Sequence, residues 1–447
     1  MRLLDGLFRA EKVEDALSDQ ACLQGMLDFE AALARAEAKA NVIPASAATA
    51  IAAKCKAELF SVSDLARDAA LAGNVAIPFV KALTALVAQS DKDAARYVHW
   101  GATSQDAIDT GRVLQLRQAL KFIGSDLDRL AGGLVKLATK HRFTVMVGRT
   151  WMQQALPTTF GAKVAGWLDA IDRHRERLRE TQRRCFVLQF GGAVGTLASL
   201  GEHGTEVTKA LADDLGLPLP EMPWHSHRDR PAEVATTLGL CGGTLGKIAK
   251  DLSLHSQTEV AEVFEPGEPG RGGSSTMPHK RNPVAAAVIL SAAIRMPGLV
   301  STMLTASVQE HERGLGGWHA EWETLPEIVS LTAGALQKLA DVVPKLEVDV
   351  ARMRDNLDAT HGLIFAEAVT MALAAKVGKA SAHEIVEAAC EKSRKQKKHL
   401  YDVAVADAQV KAHLSPKELD ELFDPRKYLG KAGEFVNRVV AGSGKTK

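Results

Sequence analysis

Apolar residues recur at alternating steps of three and four along much of the chain, a spacing that places them on one face of an α-helix. The longest unbroken stripe covers residues 113–137, and at 1.5 Å per residue it extends roughly 35–40 Å. Shorter stripes occupy residues 22–40, 160–178 and 238–252, while alternating patterns typical of strands are scarce. The pattern predicts a mostly helical protein with several long helices. The longest stripe consists of Val113, Leu116, Leu120, Ile123, Leu127, Leu130, Leu134 and Leu137.

Narrow apolar stripes also predict that the helices bundle. A helix with one narrow apolar face is stable in water only when that face packs against other helices, in the same chain or in another. The longest stripe begins near residue 110, and the pattern changes again near residue 350, after Pro344. We therefore predict an all-α fold with an N-terminal helical domain at residues 1–110, a central long-helix bundle at 111–350 and a C-terminal helical domain at 351–447.

Polar residues continue one of these stripes. His255 and Glu259 follow residues 238–252 at the same helical spacing. A polar side chain on an apolar face is costly unless it finds a partner. The two residues therefore predict either a buried polar network or the wall of a binding site.

Composition and charge exclude several classes of protein. The chain of 447 residues has a net charge of +1, which gives no general electrostatic basis for binding nucleic acid or a membrane surface. Its five cysteines are widely spaced and include no Cys-x-x-Cys pair, and its histidines form no His-Glu-x-x-His motif. These patterns argue against a disulfide framework and against a metal site. Charges stand close to the N-terminus and no uninterrupted apolar run is long enough to cross a bilayer, so we expect a cytoplasmic protein.

Residues 273–283, Gly-Ser-Ser-Thr-Met-Pro-His-Lys-Arg-Asn-Pro, have the composition of a ligand-binding loop. Glycines at its start allow the backbone to fold over a ligand, and Pro278 and Pro283 stiffen its far end. Ser274 supplies a hydroxyl that could move a proton, and the two cations and the amide between the prolines suit a substrate that carries carboxylates. We favour a functional loop over one that is merely solvated.

Two further polar clusters lie beside the predicted long helices. Residues 99–106, His-Trp-Gly-Ala-Thr-Ser-Gln-Asp, end in small donors just before the longest stripe, where they fit either a helix cap or ligand contacts. Residues 148–153, Gly-Arg-Thr-Trp-Met-Gln, place polar side chains at a turn between two long helices. Both clusters are candidate parts of a binding site.

These three segments resemble the three shared regions of the fumarase/aspartase superfamily, and Gly362-Leu-Ile-Phe-Ala-Glu367 extends the resemblance into the C-terminal part. The resemblance implies an all-α subunit of three domains, a homotetramer around a central helical bundle, and active sites shared by three subunits. It also implies proton transfer at a carbon next to a carboxylate. The doubly charged aci-carboxylate that forms needs cations and donors placed in advance. No metal and no organic cofactor is implied.

The resemblance assigns roles to individual residues as well. Ser274 would transfer the proton from the loop, provided that its surroundings activate it, and Lys280 could carry the proton instead if its pKa is depressed. Lys280 and Asn282 would hold a carboxylate of the substrate. The remaining candidate substrate contacts are His99, Thr103, Ser104, Arg149, Thr150, Trp151, Gln153, His279 and Arg313.

One position departs from the common pattern of the superfamily. Trp151 stands where its lyases usually carry a histidine, which helps a poor leaving group such as an amine to depart. An indole cannot serve as that acid. A carboxylate needs no acid to leave and no base to attack a double bond, because it is already ionised near neutral pH. Trp151 therefore favours the formation of an internal lactone.

In this respect the chain resembles the bacterial lactone-forming branch of the superfamily, in residues 99–104, 148–151 and 318–322. The implied reaction converts 3-carboxy-cis,cis-muconate into 4-carboxymuconolactone during the breakdown of protocatechuate. A substrate with three carboxylates suits the many cations of these segments. Two alternatives remain. One is a carbon–nitrogen lyase of the adenylosuccinate type, which shares Thr103-Ser104 and the loop pattern, and the other is a non-catalytic relative kept as a structural protein.

Overall fold

The computed structural model describes residues 3–268, 270, 272–273, 276–277 and 279–443, and it consists mainly of α-helices. The predicted all-α class is confirmed. Short 3-10 turns lie at Ala57–Leu59, Ala94–Tyr97, Ala198–His203, Val343–Lys345, Leu363–Phe365 and Pro425–Tyr428. In chain order the helices are α1 (Asp5–Phe8), α2 (Glu11–Leu17), α3 (Asp19–Lys39), α4 (Ala45–Lys54), α5 (Val62–Ala72), α6 (Ala76–Ala88), α7 (Ser104–Lys140), α8 (Phe160–Cys185), α9 (Gly204–Leu215), α10 (Asp229–His255), α11 (Val284–Ala306), α12 (Gly317–Val342), α13 (Val350–Asp358), α14 (Ala366–Val377), α15 (Lys379–Gln396), α16 (Leu400–Ala406), α17 (Ala408–Lys411), α18 (Pro416–Leu422) and α19 (Ala432–Ser443).

The apolar stripes lie on long helices, as predicted. Every residue of the longest stripe is buried in α7, which has 37 residues. The stripes of residues 160–178 and 238–252 are buried in α8 and α10. The stripe of residues 22–40 lies in α3, which ends just before Asn41, whose backbone φ of 59° is left-handed and stops the helix.

Two small antiparallel pairs of strands accompany the helices. β1 (Val145–Thr150) and β2 (Gln153–Thr159) form a hairpin between α7 and α8 along the chain, and β3 (Val263–Phe264) pairs with β4 (Glu347–Val348). The sequence predicted only a turn at residues 148–153, and the strands on either side were missed. Burial does not alternate along β1, where the consecutive residues Met146 and Val147 are both fully buried, so the period-two pattern that marks a strand in the sequence is weak.

The chain forms two compact units, each assembled from three separate segments. Unit 1 consists of Met1–Leu127, His174–Leu245 and Val288–Gln337. Unit 2 consists of Asp128–Arg173, Gly246–Ala287 and Lys338–Lys447. The division into domains at residues 1–110, 111–350 and 351–447 remains a prediction.

Each unit has an apolar core of its own. In unit 1, side chains of α3, α4 and α6, among them Leu27, Ile51 and Phe79, form one buried cluster. In unit 2, helices α14 to α18 enclose a second cluster that contains Leu373 and Leu419. A third cluster joins β1 to the C-terminal segment, because Val147, Leu357, Ile364 and Phe365 pack together and support the base of the hairpin.

The polar extension of the α10 stripe stops earlier than the sequence predicts. α10 ends at His255, and the backbone N–H of Glu262 donates to the carbonyl oxygen of His255 at 2.9 Å, which turns the chain toward β3. Glu259 lies in this turn and is exposed. The prediction that Glu259 continues the helical stripe was therefore wrong, whereas His255 is on the helix and buried.

Among the described helices, α11 is long and apolar enough, by length and composition, to cross a membrane. Its most apolar window has a mean hydropathy of 1.8 and is 33% buried, and the bent pair of α13 with Leu363–Val377 meets the same test if it is counted as one span. Core helices of water-soluble proteins meet this test as well. Arg295 interrupts the apolar run of α11 and pairs with Glu327, and Ile294 on the same helix is 79% exposed.

Candidate active site

The turn before α7, in unit 1, is fixed by the buried carboxylate of Asp106. Its oxygens accept hydrogen bonds from the backbone N–H groups of Thr103 at 3.0 Å, Gly191 at 3.0 Å and Gly192 at 2.9 Å. His225 Nε2 lies 2.8 Å from the same carboxylate. Asp106 thus reaches back to the start of its helix, as a cap does, and it also ties this turn to residues 189–192. Of the two roles considered for residues 99–106, Asp106 has the capping one.

Thr103 is left with its hydroxyl facing a cation. Arg313 Nη2 donates to Thr103 Oγ1 and to the carbonyl oxygen of Ala193, each at 3.1 Å, and Arg313 Nε donates to Gln105 Oε1 at 3.0 Å. Ser104 is the first residue of α7. The structure therefore brings together Thr103, Ser104 and Arg313, all predicted substrate contacts. The Arg313 side chain is exposed, as a residue that meets a ligand should be.

His99, four residues before Thr103, is held by a carboxylate that the sequence did not single out. His99 Nδ1 lies 2.6 Å from Glu30 Oε1, and Glu30 on α3 is only 1% exposed. Burial lowers the pKa of His99, but the carboxylates of Glu30 and Asp106 more than offset this, and the net pKa is raised. The imidazole is therefore biased toward its charged form.

A buried ion cluster lies next to this turn in unit 1. Arg228 donates to both oxygens of Asp109, at 2.6 and 3.1 Å, and to both oxygens of Glu321, at 2.6 to 3.2 Å. Gln105 Nε2 and Trp318 Nε1 also donate to Asp109, at 3.1 Å each. Gln105 therefore connects Arg313 to this cluster. Sequence reasoning missed the cluster. The only local signal was that Gln105 and Asp109 are polar residues one helical turn apart at the start of an apolar stripe.

In unit 2, the hairpin residue Arg149 is engaged by a carboxylate. Its guanidinium donates to Glu262 through two parallel hydrogen bonds of 3.0 and 2.6 Å. Glu262 is fully buried and also contacts His255 Nδ1 and Asn356 Nδ2, each at 2.8 Å. Burial alone would raise the pKa of Glu262, but the donors His255, Arg149 and Asn356 outweigh it and lower the pKa to about 2.

This network decides one of the open alternatives. His255 belongs to a buried polar network, which is one of the two roles that the sequence allowed for it. Arg149 holds that network together, so a guanidinium already paired with Glu262 supports the hairpin. That Arg149 also contacts substrate remains a prediction.

The other candidate residues of the hairpin stand at its tip. Thr150 pairs with Gln153 across the turn, and Trp151 and Met152 between them have left-handed φ angles of 50° and 63°. Such values match a two-residue type I′ turn, which usually contains Asn or Gly. The side chain of Trp151 is 98% exposed and that of Met152 is 73% exposed. Two apolar residues in a strained, exposed turn are unusual, and strained positions cluster at functional sites.

The loop predicted to bind the substrate borders an open cleft of about 850 Å³ in unit 2. Lys280 and Asn282 line this cleft together with Gly272, Gly273 and Arg281. The backbone is tight here, because Gly272 has a φ of 65° and a Cβ at that position would lie 2.5 Å from the carbonyl oxygen of Asn282. Only glycine fits without a shift of the chain.

Arg281 and His279 belong to the same loop and differ in their surroundings. Arg281 donates to the carbonyl oxygen of Glu265 at 2.8 Å and pairs with Glu347 at 2.9 Å, so it anchors the loop. His279 is exposed. Ser274, the predicted proton-transfer residue, lies outside the described residues. Within the described part of the chain, no group of three or more His, Cys, Asp or Glu side chains is arranged to hold a metal ion.

The chain is similar to known proteins over almost its whole length. Residues 8–298 match the family model described as Lyase, and residues 362–439 match that of the adenylosuccinate lyase C-terminus. The chain is 56% identical over 440 residues to the 3-carboxy-cis,cis-muconate cycloisomerase of Pseudomonas aeruginosa, covering 98% of this chain and 96% of that protein. It is 54% identical over 438 residues to the protein of the same name from Bradyrhizobium diazoefficiens, covering 98% and 97%.

Comparison of the fold with solved structures gives the same family. The crystal structure of the 3-carboxy-cis,cis-muconate lactonizing enzyme from Pseudomonas putida superimposes with a TM-score of 0.95 at 53% identity, and the match covers 100% of this chain and 99% of that one. The resemblance that the three polar segments indicated is thereby confirmed. The chain belongs to the 3-carboxy-cis,cis-muconate cycloisomerase family of the fumarase/aspartase superfamily.

Proposed function

We propose that the protein is an enzyme, an isomerase that converts 3-carboxy-cis,cis-muconate into 4-carboxymuconolactone. The observation that carries this proposal is the similarity, over almost the whole chain, to proteins named for this reaction. We place the reaction in the breakdown of protocatechuate and in the cytoplasm. The five cysteines support that location, since all of them are free thiols.

In the proposed reaction the substrate supplies its own nucleophile. One of its carboxylates adds to a carbon of the diene and a C–O bond forms. The electrons of the attacked double bond move to the carbon next to another carboxylate, which becomes an aci-carboxylate. A proton then forms the new C–H bond at that carbon. Substrate and product are isomers, so the step consumes no oxidant, reductant or second substrate, and we propose that no metal or organic cofactor takes part.

The residues of this chain would act on charge and on the proton. Lys280 and Asn282, which line the cleft of unit 2, would hold a substrate carboxylate, and either Ser274 or Lys280 would deliver the proton. Cations placed before the reaction stabilise an aci-carboxylate because no reorganisation is needed when its charge develops. We assign binding of the other carboxylates to His99, Thr103, Ser104, Arg149, Thr150, Gln153, His279 and Arg313.

Trp151 supports lactone formation over elimination of an amine. An amine leaves only after a proton reaches it, and the superfamily histidine that assists this departure is replaced here by an indole. An attacking carboxylate needs no proton removed, and a departing carboxylate needs none supplied. The exposed ring at the hairpin tip would therefore shape the binding site without taking part in proton transfer.

We also propose that the chain acts as a homotetramer with shared active sites. Trp151 and Met152 expose apolar surface at the hairpin tip, and Ile294 and Leu304 do so on α11, at 79% and 52% exposure. Large apolar side chains exposed at a hairpin tip and along a long helix support contact of these surfaces with another chain. A net charge of +1 supports neither nucleic acid nor a membrane as the partner.

A carbon–nitrogen lyase of the adenylosuccinate type is the second candidate, favoured by the match of residues 362–439 to the C-terminus of that enzyme. Ultraviolet assays of the purified protein with 3-carboxy-cis,cis-muconate and, separately, with adenylosuccinate distinguish the two. Loss of absorbance with the first substrate alone supports lactone formation, and loss with the second alone overturns it. No change with either would favour a non-catalytic structural relative.

A further inference from the structure

Two glutamates lie two helical turns apart on one face of α3, in unit 1, and their surroundings differ. Glu30 is 1% exposed and Glu37 is 0% exposed. Both oxygens of Glu37 lack a hydrogen-bond partner among the described residues. Two causes raise the pKa of Glu37 to about 9: burial, which is the larger, and repulsion from the nearby carboxylate of Glu30. The carboxyl group of Glu37 is therefore neutral at pH 7.

Glu30, in contrast, has a side-chain partner that can carry the opposite charge. Its Oε1 lies 2.6 Å from His99 Nδ1, a distance typical of a charge-assisted hydrogen bond, while Oε2 has no partner among the described residues. A buried carboxylate is costly without a counter-charge. His99 supplies that counter-charge when its ring is protonated.

The backbone around His99 is fixed as well. His99 has a left-handed φ of 59°, a conformation that costs about 1 kcal/mol or more for a residue with a side chain and persists only where the surroundings impose it. Two residues later, a Cβ on Gly101 would lie 2.8 Å from the Leu200 side chain. Asp106 holds the end of the same turn through the N–H of Thr103. The constrained backbone fixes the position of the His99 side chain, and the contact with Glu30 fixes the orientation of its ring.

One ring nitrogen of His99, Nε2, remains available to bind a ligand. A bond from Nδ1–H to Glu30 leaves Nε2 without a hydrogen bond to any described residue. His99 lies four residues before Thr103, which is in contact with the exposed Arg313. An imidazolium whose Nδ1–H is occupied offers a single N–H donor to an anion, with a fixed direction.

We propose that Glu30 is a positioning residue that keeps His99 charged and aims its Nε2–H at a carboxylate of the substrate. This inference rests on the proposed function and deepens it, because it assigns one carboxylate of the tricarboxylate to a cation that depends on a buried partner. The charged groups that act on His99 are Glu30 from α3 and Asp106 from α7. Asp106 is itself hydrogen-bonded by three backbone N–H groups and lies beside His225. Glu30 is therefore the carboxylate in direct contact with His99.

The kinetic test replaces Glu30 by glutamine, which keeps the shape of the side chain and removes its charge. As the pH rises through the pKa of His99, the imidazolium loses its proton, and kcat/KM for 3-carboxymuconate falls. In Glu30→Gln this fall should begin at least about one pH unit lower, and the loss of kcat/KM relative to the wild type should approach about tenfold at pH values above the wild-type pKa of His99. Glu37→Gln is the matched control, because it replaces a carboxyl group that is already neutral, and its pH profile should be unchanged.

Two further measurements separate positioning from structure. In a His99→Gln background, Glu30→Gln should cause no further loss of kcat/KM, because Glu30 acts through His99. The ring of His99 can also be titrated directly by NMR with 15N-labelled histidine, its signals assigned by their loss in His99→Gln. Its pKa should be above 6.5 in the wild type and lower by at least about one unit in Glu30→Gln.

The titration also distinguishes two kinds of failure. If the wild type does not turn over 3-carboxymuconate, the proposed function falls, and the NMR titration still tests the pair. If turnover is normal but the pKa of His99 is the same in wild type and Glu30→Gln, the inference is wrong. Additive losses from His99→Gln and Glu30→Gln would overturn it equally, because they would mean that Glu30 acts elsewhere.

Discussion

Arg313 Nη2 donates to Thr103 Oγ1 at 3.1 Å, although the two residues are 210 positions apart in the chain. The same guanidinium reaches Gln105 Oε1 and the carbonyl oxygen of Ala193. One planar, charged group therefore holds the turn before α7 against the segment around Ala193. Because the group remains exposed, it can also face a substrate carboxylate from this position.

Arg313→Lys tests this arrangement. An ammonium group is a point charge and cannot hold the three acceptors in the geometry of the guanidinium fork. We expect kcat/KM to fall by roughly tenfold to a hundredfold, the loss that one or two charge-assisted hydrogen bonds would cause. The melting temperature should change little, because the side chain is exposed. Arg67→Lys, at an exposed arginine paired with Asp64, is the control and should leave kcat/KM unchanged. Equal activity of the two variants would contradict a role for Arg313.

The buried cluster around Arg228 predicts a large effect on stability. Arg228→Met leaves the carboxylates of Asp109 and Glu321 buried without their counter-charge. Breaking a buried ion pair in this way costs about 3–5 kcal/mol of unfolding free energy. Arg129→Met, which removes a surface pair with Asp341, should cost less than about 1 kcal/mol. Urea unfolding of both variants measures the difference, and a loss below that of Arg129→Met would show that the cluster does not stabilise the fold.

The sequence was sufficient for the helices because helical burial is a local pattern. Every residue of the longest stripe, within residues 113–137, is buried in α7, and the spacing alone contains that information. The sequence was insufficient for predicting ion pairs between residues that are far apart in the chain. Arg228 and Asp109 are 119 positions apart, and no local rule states which carboxylate a guanidinium will meet.

The same limit applies to the contacts among the candidate site residues. Thr103 and Arg313 were chosen because the resemblance matches them by position to substrate contacts, and the structure places them in contact with each other. Arg149 was chosen in the same way, and the structure pairs it with Glu262, 113 positions later in the chain. A buried carboxylate without a counter-charge is costly, whereas an exposed carboxylate is stabilised by water. Glu30 had no signal at all, since a single acidic residue on a helix is most often a solvated one.

Lys280→Ala and Ser274→Ala test the loop directly. Each removes a group proposed to hold charge or to deliver the proton, and positioned proton transfer contributes about 10²–10⁴ in rate. We expect turnover of 3-carboxymuconate to fall by at least about 100-fold in each variant, with the oligomeric state in size-exclusion chromatography unchanged. Lys431→Ala, at an exposed lysine paired with Glu434, is the control. Near-normal turnover in both loop variants would remove this loop from the mechanism.

Trp151→His restores the residue that the lyases of the superfamily usually carry. Lactone formation uses no acid at this position, because the nucleophile is already an anion. We expect no gain in kcat/KM for 3-carboxymuconate. The same preparation assayed with adenylosuccinate shows whether the new imidazole adds elimination activity. A large gain in lactone formation would mean that the missing acid limits the natural enzyme, and the argument from Trp151 would be wrong.

Mixing two inactive variants tests whether active sites are shared between subunits. Lys280 belongs to unit 2 and Arg313 to unit 1, and the exposed tip at Trp151 and the apolar face of α11 both favour contact with other copies. If one site takes Lys280 and Arg313 from different subunits, refolding Lys280→Ala together with Arg313→Ala gives some sites with both residues intact. In a random mixture of equal parts, about a quarter of the sites would be complete.

The control mixes Lys280→Ala with Asn282→Ala. These two residues line one cleft of a single chain, so no mixed tetramer contains a site with both intact, and activity should stay at the level of the parents. Different affinity tags on the two variants verify that mixed tetramers have formed. Recovery of activity in the first mixture and not in the second would establish that subunits share the site. Mixed tetramers without recovery would contradict an active site that takes Lys280 and Arg313 from different subunits.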